Sequence, residues 1–427
     1  MRIMSMLLAV SCLLSAVKAQ WLEMTLYLPD TSGPTDLCYN PQNNKVYTAN
    51  WVGDNVTVID GATSSVIATV RVGAYPSVLC YNSQSNKIYC TNYMTDDVTV
   101  IDGVADSVLA TVTVGIGPQA LCYNSLNNKV YCANSNTDCL TVLDGVTDSV
   151  LTAVAVGAHP GALCYNSQSN KVYSVSSASN SVTVIDGTVD SVIATVAAGP
   201  YPYALCFNPA NNKVYCANVS GDDVTVIDGE TDSVLTTAPA GEEPQALCYN
   251  PQNNKVYCAN STSYNVTVLD CAMDSAIATV TAGYVPSVFC YNPENNKVYC
   301  ANNGSGDVTV IDGATDSVVV TIAVGMNPTA FCHNPQQNRV YVANYRSSTI
   351  SVLRDSMPSG IQQGPRPQAA TSRPAATVVR GLPPGAVVFD AMGRRVANPK
   401  SGVYFVREEP EASGHQPQTV RKVIVQR

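Results

Sequence analysis

The chain has 427 residues, 46% of them hydrophobic and 13% charged, with a formal net charge of −9. This composition excludes a disordered polyelectrolyte, and beyond the first twenty residues no apolar run reaches the ~18 residues that a membrane-spanning helix needs. Residues 20–355 carry 28 acidic and 11 basic side chains, so we do not expect nucleic acid as a partner of this acidic body.

The N-terminus has the pattern of a secretory signal. Met1 and Arg2 precede an apolar run over 3–17, and Ala19 is a small residue suited to a cleavage site. We therefore predict export, with residues 1–19 removed as a signal peptide. Cys12 lies inside the apolar run, which disfavours lipidation there. The alternative is that the segment is retained as a membrane anchor.

A repeat of 42 residues without insertions follows. Its units start at Leu37, Leu79, Leu121, Leu163, Leu205, Leu247, Phe289 and Phe331. The first unit predicts four short strands: one ending at Tyr39, then 45–49, 55–59 and 66–70. β-Branched residues, period-two alternation and Asn, Asp, Gly and Pro between the segments favour strands over helices.

Four strands in a unit of this length are typical of a β-propeller blade. The unit at Phe331 ends near Arg354 after three strands, and the segment 21–28 supplies a fourth. Joining the two ends in one blade protects strand edges that a gap would expose. We predict an all-β, eight-bladed propeller over 20–355, its last blade closed by the N-terminal strand. A seven-bladed ring with a stray unit is the alternative.

The repeat contains a more specific pattern, in which Lys45-Val46-Tyr47-x-Ala49-Asn50 is followed by 56–60, Val-Thr-Val-Ile-Asp. This pattern resembles the YVTN-type β-propeller repeat of surface-layer and YncE-like propellers. The resemblance implies the propeller fold and a secreted or surface location. It leaves function open, because related propellers range from scaffolds to enzyme subunits.

Residues 356–377 are rich in Pro, Gln, Ser and Ala and predict a flexible linker. Residues 378–427 predict a small β module with three strand-like pieces. The segments 385–396, 401–407 and 419–427 resemble the C-terminal sorting domain of type IX secretion cargo, although the insertion at 408–417 departs from compact versions. The resemblance implies recognition by that secretion machinery and delivery to the cell surface. The alternative is an ordinary β module that stabilises the chain.

Thirteen cysteines follow the repeat. Eight occupy its second position: Cys38, Cys80, Cys122, Cys164, Cys206, Cys248, Cys290 and Cys332. Five more lie ten residues later, and a hairpin of strands one and two could pair Cys80–Cys90, Cys122–Cys132, Cys206–Cys216, Cys248–Cys258 and Cys290–Cys300. The favoured alternative is that these cysteines are small buried fillers, because Thr48, Ser174 and Val342 replace the later ones. No Cys-x2-Cys spacing occurs, so we expect no metal site.

The turns after strands one and three hardly vary between units, whereas the connections after strands two and four vary sharply. Chain alternation places both variable sets on one side of the ring, and loops on a rigid scaffold are where function concentrates. The candidate binding residues are Trp51, Tyr75, Tyr93, His159, Tyr201, Tyr203, Tyr264, Tyr284 and Tyr345. Loop drift without function is the alternative.

The repeated acids Asp60 and Asp106 and their equivalents fall in tight turns, where Asp accepts backbone hydrogen bonds; Ca²⁺ binding is the lesser alternative. His159 has no second catalytic group fixed beside it in the sequence, and no hydrolase, P-loop or dinucleotide motif occurs. We expect a secreted or cell-surface, monomeric, non-enzymatic propeller without cofactor that binds a protein or a surface glycan. The alternatives are a lactonase-like or quinoprotein-dehydrogenase-like enzyme or subunit, and a passive surface-layer component.

Overall fold

The computed structural model describes residues 20–29 and 32–355, and the backbone of four strands between 377 and 425. The chain divides into two units, Met1–Met357 and Pro358–Arg427. The predicted signal peptide and most of the predicted linker lie outside the described residues. In the described part of the chain, no helix is long and apolar enough to cross a membrane.

The first unit is a ring of eight four-stranded antiparallel blades, which confirms the predicted eight-bladed propeller. Strands are numbered in chain order, and in seven blades they follow one another from the channel outwards. The innermost strands, which contact one another around the channel, are β2 (Pro34–Asn40), β6 (Pro76–Asn82), β10 (Pro118–Asn124), β14 (Pro160–Asn166), β18 (Pro202–Asn208), β22 (Pro244–Asn250), β26 (Pro286–Asn292) and β30 (Pro328–Asn334).

The two middle strands of each blade are covered on both faces by neighbouring blades. The second strands are β3 (Lys45–Asn50), β7 (Lys87–Asn92), β11 (Lys129–Asn134), β15 (Lys171–Ser176), β19 (Lys213–Asn218), β23 (Lys255–Asn260), β27 (Lys297–Asn302) and β31 (Arg339–Asn344). The third strands are β4 (Asn55–Asp60), β8 (Asp97–Asp102), β12 (Cys139–Asp144), β16 (Ser181–Asp186), β20 (Asp223–Asp228), β24 (Asn265–Asp270), β28 (Asp307–Asp312) and β32 (Thr349–Arg354). Burial on both faces explains their nearly continuous apolar sequences.

The outermost strands are the most exposed. They are β1 (Trp21–Tyr27), β5 (Ser65–Arg71), β9 (Val108–Thr113), β13 (Val150–Ala155), β17 (Ser191–Ala197), β21 (Val234–Pro239), β25 (Ser275–Thr281) and β29 (Val318–Ala323). A short 3₁₀ turn, Ser177–Ser179, is the helical element among the described residues. Because β1 pairs with β32, from Trp21 opposite Arg354 to Tyr27 opposite Thr349, the N-terminal strand completes the last blade as predicted.

The core consists of apolar clusters between adjacent blades rather than one central core. In the cluster between the first two blades, Tyr47 and Val58 of one pack against Ile88, Cys90 and Ile101 of the next. The same arrangement recurs around the ring and includes the closing pair, where the last blade packs against the first. Each blade is therefore held by its neighbours, which makes the ring a rigid platform for its loops.

The second unit contains a separate four-stranded sheet in the order β33 (Thr377–Val379), β36 (Val420–Val425), β35 (Gly402–Arg407) and β34 (Val387–Phe389). In this sheet β34 pairs with β35, and β35 with β36, in antiparallel orientation, whereas β33 pairs with β36 in parallel orientation. The sequence predicted three of these strands and missed β33, which lies at the end of the predicted linker.

Candidate functional site

The two ends of the ring carry different loops. The turns that join innermost to second strands and third to outermost strands meet at one end, where the Gly61 amide donates to the Asn44 carbonyl at 2.8 Å; we call this the constant face. The remaining connections meet at the other end, where the Tyr93 amide donates to the Tyr75 carbonyl at 3.0 Å; we call this the variable face.

Residues on the constant face are occupied in holding blades together. Lys45 Nζ lies 2.7 Å from Asp106 Oδ2 of the next blade, and the buried Tyr47 hydroxyl donates to Asp106 Oδ1 at 2.8 Å. Such a Lys–Asp pair recurs in six places: Lys45–Asp106, Lys87–Asp148, Lys129–Asp190, Lys171–Asp232, Lys213–Asp274 and Lys255–Asp316. We call each Lys–Tyr–Asp group a clasp.

A ring of asparagines adds a second set of links on this face. The buried Asn40 donates through Nδ2 to Asn86 Oδ1 of the next blade at 2.8 Å. The same bond repeats around the ring and closes from Asn334 to Asn44 at 3.0 Å. These contacts give the constant sequence of this face a structural explanation.

The first acid of each turn behaves as predicted. Asp60 Oδ1 accepts the backbone amide of Thr63 at 2.7 Å, and this bond holds the pKa of Asp60 below its usual value. The second acid, Asp106 and its equivalents, was predicted only to belong to the turn. Its role in the clasp was missed because its lysine partner lies in the preceding blade.

On the variable face the loops share one backbone frame. Each of the seven innermost strands after β2 begins with a proline. The residue before that proline adopts a left-handed conformation, with φ of 57° at Tyr75 and 59° at His159. At Tyr75 and His159 the amide donates to an acid of the preceding blade, Asp54 and Asp138, at 3.2 and 2.9 Å, and at Tyr201 it donates to Asn180 Oδ1 at 2.9 Å. The frame is therefore fixed while its side chains differ.

This conformation costs a non-glycine residue about 1–2 kcal/mol. Gly33 and Gly117 adopt this conformation at equivalent positions without that cost. Tyr75, His159 and Tyr201 adopt it and bear the cost. The same conformation occurs in the turns of the constant face, at Asn44, Ser64 and Asp106, so it does not by itself mark the variable face as functional.

The structure brings five of the predicted aromatic residues together in two groups. Trp51 stacks on Tyr75 with ring centroids 4.9 Å apart and lies 5.8 Å from Tyr93. Tyr264 and Tyr284 form a second group, with centroids 4.4 Å apart. Tyr345 stands apart from both and is half-buried beside Gly33.

A cavity of about 680 Å³ lies at the mouth of the channel on the variable face. Five of the nine predicted binding residues line it: Trp51, Tyr93, His159, Tyr201 and Tyr203. The sequence analysis missed Ser77, Gln119, Gly161 and Ser177, which also line it. Ser77, Gln119, Gly161 and Tyr203 are spaced 42 residues apart, so variation at this one repeat position was the signal that could have found them.

The five candidate disulfides are not formed, and all ten cysteines are free. Leu79 lies directly opposite Cys90, and Cys80 lies opposite Tyr89. Adjacent positions along a strand point to opposite faces, so Cys80 and Cys90 are on opposite sides of the blade. Cys90, Cys132, Cys216, Cys258 and Cys300 are fully buried fillers in the interblade clusters. Burial raises the pKa of Cys80 to about 12, which keeps its thiol protonated.

His333 and His159 occupy different environments. Burial lowers the pKa of His333, which is a packed residue of β30. His159 lies in the cavity, with Nδ1 3.1 Å from the Ser135 carbonyl oxygen. Within the part of the chain that the structure describes, no carboxylate, thiol or amine lines the cavity beside it. Across the described residues, no three His, Cys, Asp or Glu side chains are grouped to hold a metal ion.

Comparison with known proteins gives a fold and no family. No family model and no curated protein sequence matches the chain. Among the solved structures, hydrazine synthase of Kuenenia stuttgartiensis is similar with a TM-score of 0.57 and 18% identity, over 76% of this chain and 96% of that one. A likeness at this identity supports the propeller fold alone. Membership of the YVTN-type repeat family and the sorting-domain resemblance stay predictions.

Proposed function

We propose that this chain is a non-enzymatic binding propeller that contacts a protein or a surface polymer through its variable face. One observation carries the proposal: a constant backbone frame presents different side chains on the variable face, while the opposite face is used for structural links. Rigid presentation of Trp and Tyr lowers the entropy lost on binding and suits recognition.

The composition of the cavity supports binding rather than catalysis. Among the described residues that line it, His159 is the one titratable side chain apart from tyrosines, and general acid–base chemistry with a nucleophile needs a second positioned group. A hydrolase or dehydrogenase activity remains the alternative proposal. Turnover of an ester, lactone or alcohol panel that is lost in His159→Ala would favour that alternative.

The test is a binding screen of the purified chain against cell-envelope proteins and glycans. A variant with Trp51, Tyr93, Tyr201 and Tyr345 changed to Ala should lose binding and keep the wild-type melting temperature, because these side chains lie outside the interblade clusters. The matched control changes the exposed Val66, Ile67, Val192 and Ile193 of the outermost strands to Ala and should bind normally. Equal loss in the control would contradict a site on the variable face.

We further propose export and delivery to the cell surface, with the C-terminal module as the sorting signal. The sequence pattern at 385–396, 401–407 and 419–427 supports this proposal, as does the signal-like N-terminus. Deleting 378–427 should leave the propeller in the periplasm, measured by surface protease accessibility and fractionation. Normal surface delivery of the truncated chain would refute the sorting role. Formation of ordered arrays by the purified chain would instead favour a surface-layer component.

A further inference from the structure

The cavity at the channel mouth has a chemistry that selects one class among the partners considered above. We propose that it binds a neutral saccharide of a few sugar units. This inference rests on the proposed binding function and deepens it by naming the ligand. The cavity volume of about 680 Å³ falls within the range of roughly 300–1,000 Å³ that is usual for small-molecule sites.

Aromatic rings dominate the wall. Tyr203 and Tyr201 expose 50% and 45% of their surface, and Trp51 and Tyr93 also line the cavity. A pyranose ring has one apolar C–H face and a rim of hydroxyl groups. Its C–H face packs on the electron-rich face of an aromatic side chain, whose tyrosine hydroxyl or indole N–H can also bond to the rim.

Polar groups around the rings suit hydroxyl recognition. Gln119 offers both an amide donor and a carbonyl acceptor. The Ser135 carbonyl oxygen can only accept, so the proton of neutral His159 is on Nδ1 and its Nε2 is an acceptor. Together with the tyrosine hydroxyls, these groups provide donors and acceptors for the alternating roles of sugar hydroxyls.

The absence of fixed charge from the wall argues for a neutral ligand. Among the described residues, none that lines the cavity is Asp, Glu, Lys or Arg. An anionic polymer would meet no guanidinium or ammonium partner here and would approach an acidic propeller. A charged peptide would likewise find no ion pair within the cavity.

One blade opens the space that a sugar would fill. At the repeat position where Ser77, Gln119 and Tyr203 stand, blade four carries Gly161, and a Cβ placed there would meet no atom within 4 Å. The φ of Gly161 is not in the left-handed region, so a side chain is compatible with its backbone. Gly161 therefore widens the cavity without serving a turn.

The chain provides its own reporter of occupancy. Its two tryptophans are Trp21, on β1 of the last blade, and Trp51, in the cavity wall. In full-length Trp21→Phe protein, titration with neutral cello-, malto-, manno- and chito-oligosaccharides should change Trp51 fluorescence with at least one series, saturably. Polygalacturonate and heparin should give no saturable change.

Two variants locate the site. Gly161→Tyr should weaken saccharide binding by roughly tenfold or more by filling the cavity, and Tyr203→Ala should weaken it by a similar factor through loss of the stacking surface. In the next repeat, the position equivalent to Gly161 is occupied by Tyr203, which shows that a tyrosine fits this strand position. The Gly161→Tyr variant should therefore keep the melting temperature of the parent. Tyr27→Ala removes an exposed tyrosine of the outermost strand β1, outside the cavity and the variable-face candidates, and should bind like the parent.

Outcomes separate this inference from the proposed function. No response to any neutral saccharide overturns the inference, as does binding that Gly161→Tyr leaves unchanged. If saccharides fail but an envelope protein binds and the four-residue aromatic variant abolishes that binding, the variable-face function stands and the saccharide is wrong. If nothing binds in a way that the aromatic variant abolishes, the proposed function fails as well.

Discussion

At the scale of single residues, Asp36 departs most from the repeat. The other seven blades carry Ala or Val at this position of the innermost strand. Asp36 accepts the amide of Leu37 at 2.8 Å and, across the blade boundary, the amide of Leu79 at 2.7 Å. Burial outweighs these two bonds and raises the pKa of its carboxyl from 3.8 to about 6.

This raised pKa gives a pH-dependent stability with a definite sign. The folded state binds the Asp36 proton more tightly than the unfolded state does, so its contribution is complete below pH 4 and is lost as pH rises through 6. Between pH 4 and 7 the unfolding free energy of the wild type should fall relative to Asp36→Asn by up to about 3 kcal/mol. Urea denaturation at several pH values measures this difference, and a constant difference would contradict the shift.

At the scale of elements, the clasp explains how neighbouring blades are joined and how the sequence compensates where the repeat fails. Ser64 replaces the clasp acid in the first blade, and its hydroxyl meets the Tyr341 hydroxyl at 2.8 Å. In the last blade Asp355, at the position of Gly61, receives the Tyr299 hydroxyl. At both of these blade boundaries the buried tyrosine hydroxyl therefore keeps a hydrogen-bond partner.

Removing one clasp acid should be costly because its partners stay buried. In Asp190→Ala, Lys129 loses the carboxylate 2.6 Å away and the Tyr131 hydroxyl loses its acceptor. We expect a loss of about 2–4 kcal/mol in unfolding free energy, measured by chemical denaturation. The control Glu230→Ala removes the same charge from an exposed position of the same face and should change stability by less than about 0.5 kcal/mol. Equal effects would show that the clasp contributes little.

At the scale of the whole molecule, ring closure depends on β1. Glu23 joins β1 to the last blade by accepting from Arg339 Nε at 2.8 Å and Nη2 at 2.9 Å, and from Arg354 Nε at 2.9 Å. Although burial opposes it, these two guanidinium groups hold the pKa of Glu23 below its usual value. These ion pairs lie within the last blade, unlike the Lys–Asp pairs of the clasp, which join neighbouring blades.

Loss of Glu23 should loosen the closing strand before the rest of the ring. In Glu23→Ala, amides of 21–27 should exchange at least tenfold faster, which corresponds to about 1.4 kcal/mol of local stability. β5, outermost in the first blade and joined to its neighbour by a short turn, is the internal control and should be unchanged. Hydrogen exchange with mass spectrometry measures the amide exchange rates of both strands. An equal increase of these rates in β1 and β5 would refute a local role of Glu23. Self-association through the freed edge of β32 should accompany the opening.

The sequence was informative wherever a feature repeats within one unit. The 42-residue period, the turn residues and the strand patterns at 45–49 and 55–59 predicted the ring, its blade count and its two faces. Features that join different units were invisible: Lys45 and Asp106 are 61 residues apart and each resembles an ordinary surface charge. The faces of Cys80 and Cys90 depended on a one-residue register that the turn sequence did not reveal. The cavity was missed in part because Gly161 matters through the side chain it lacks.

The pairing of β1 with β32 has a consequence for synthesis. Trp21 lies near the start of the propeller segment and its partner Arg354 near the end, so the ring cannot close until almost the whole segment has been synthesised and, on the proposed export, has crossed the membrane. Until then, the emerging chain presents unpaired strand edges that would have to be shielded by chaperones. A chain truncated before β32 lacks the partner of β1, so we expect it to form an incomplete ring with exposed strand edges. Both ends of the propeller segment must therefore be present before the fold can be completed.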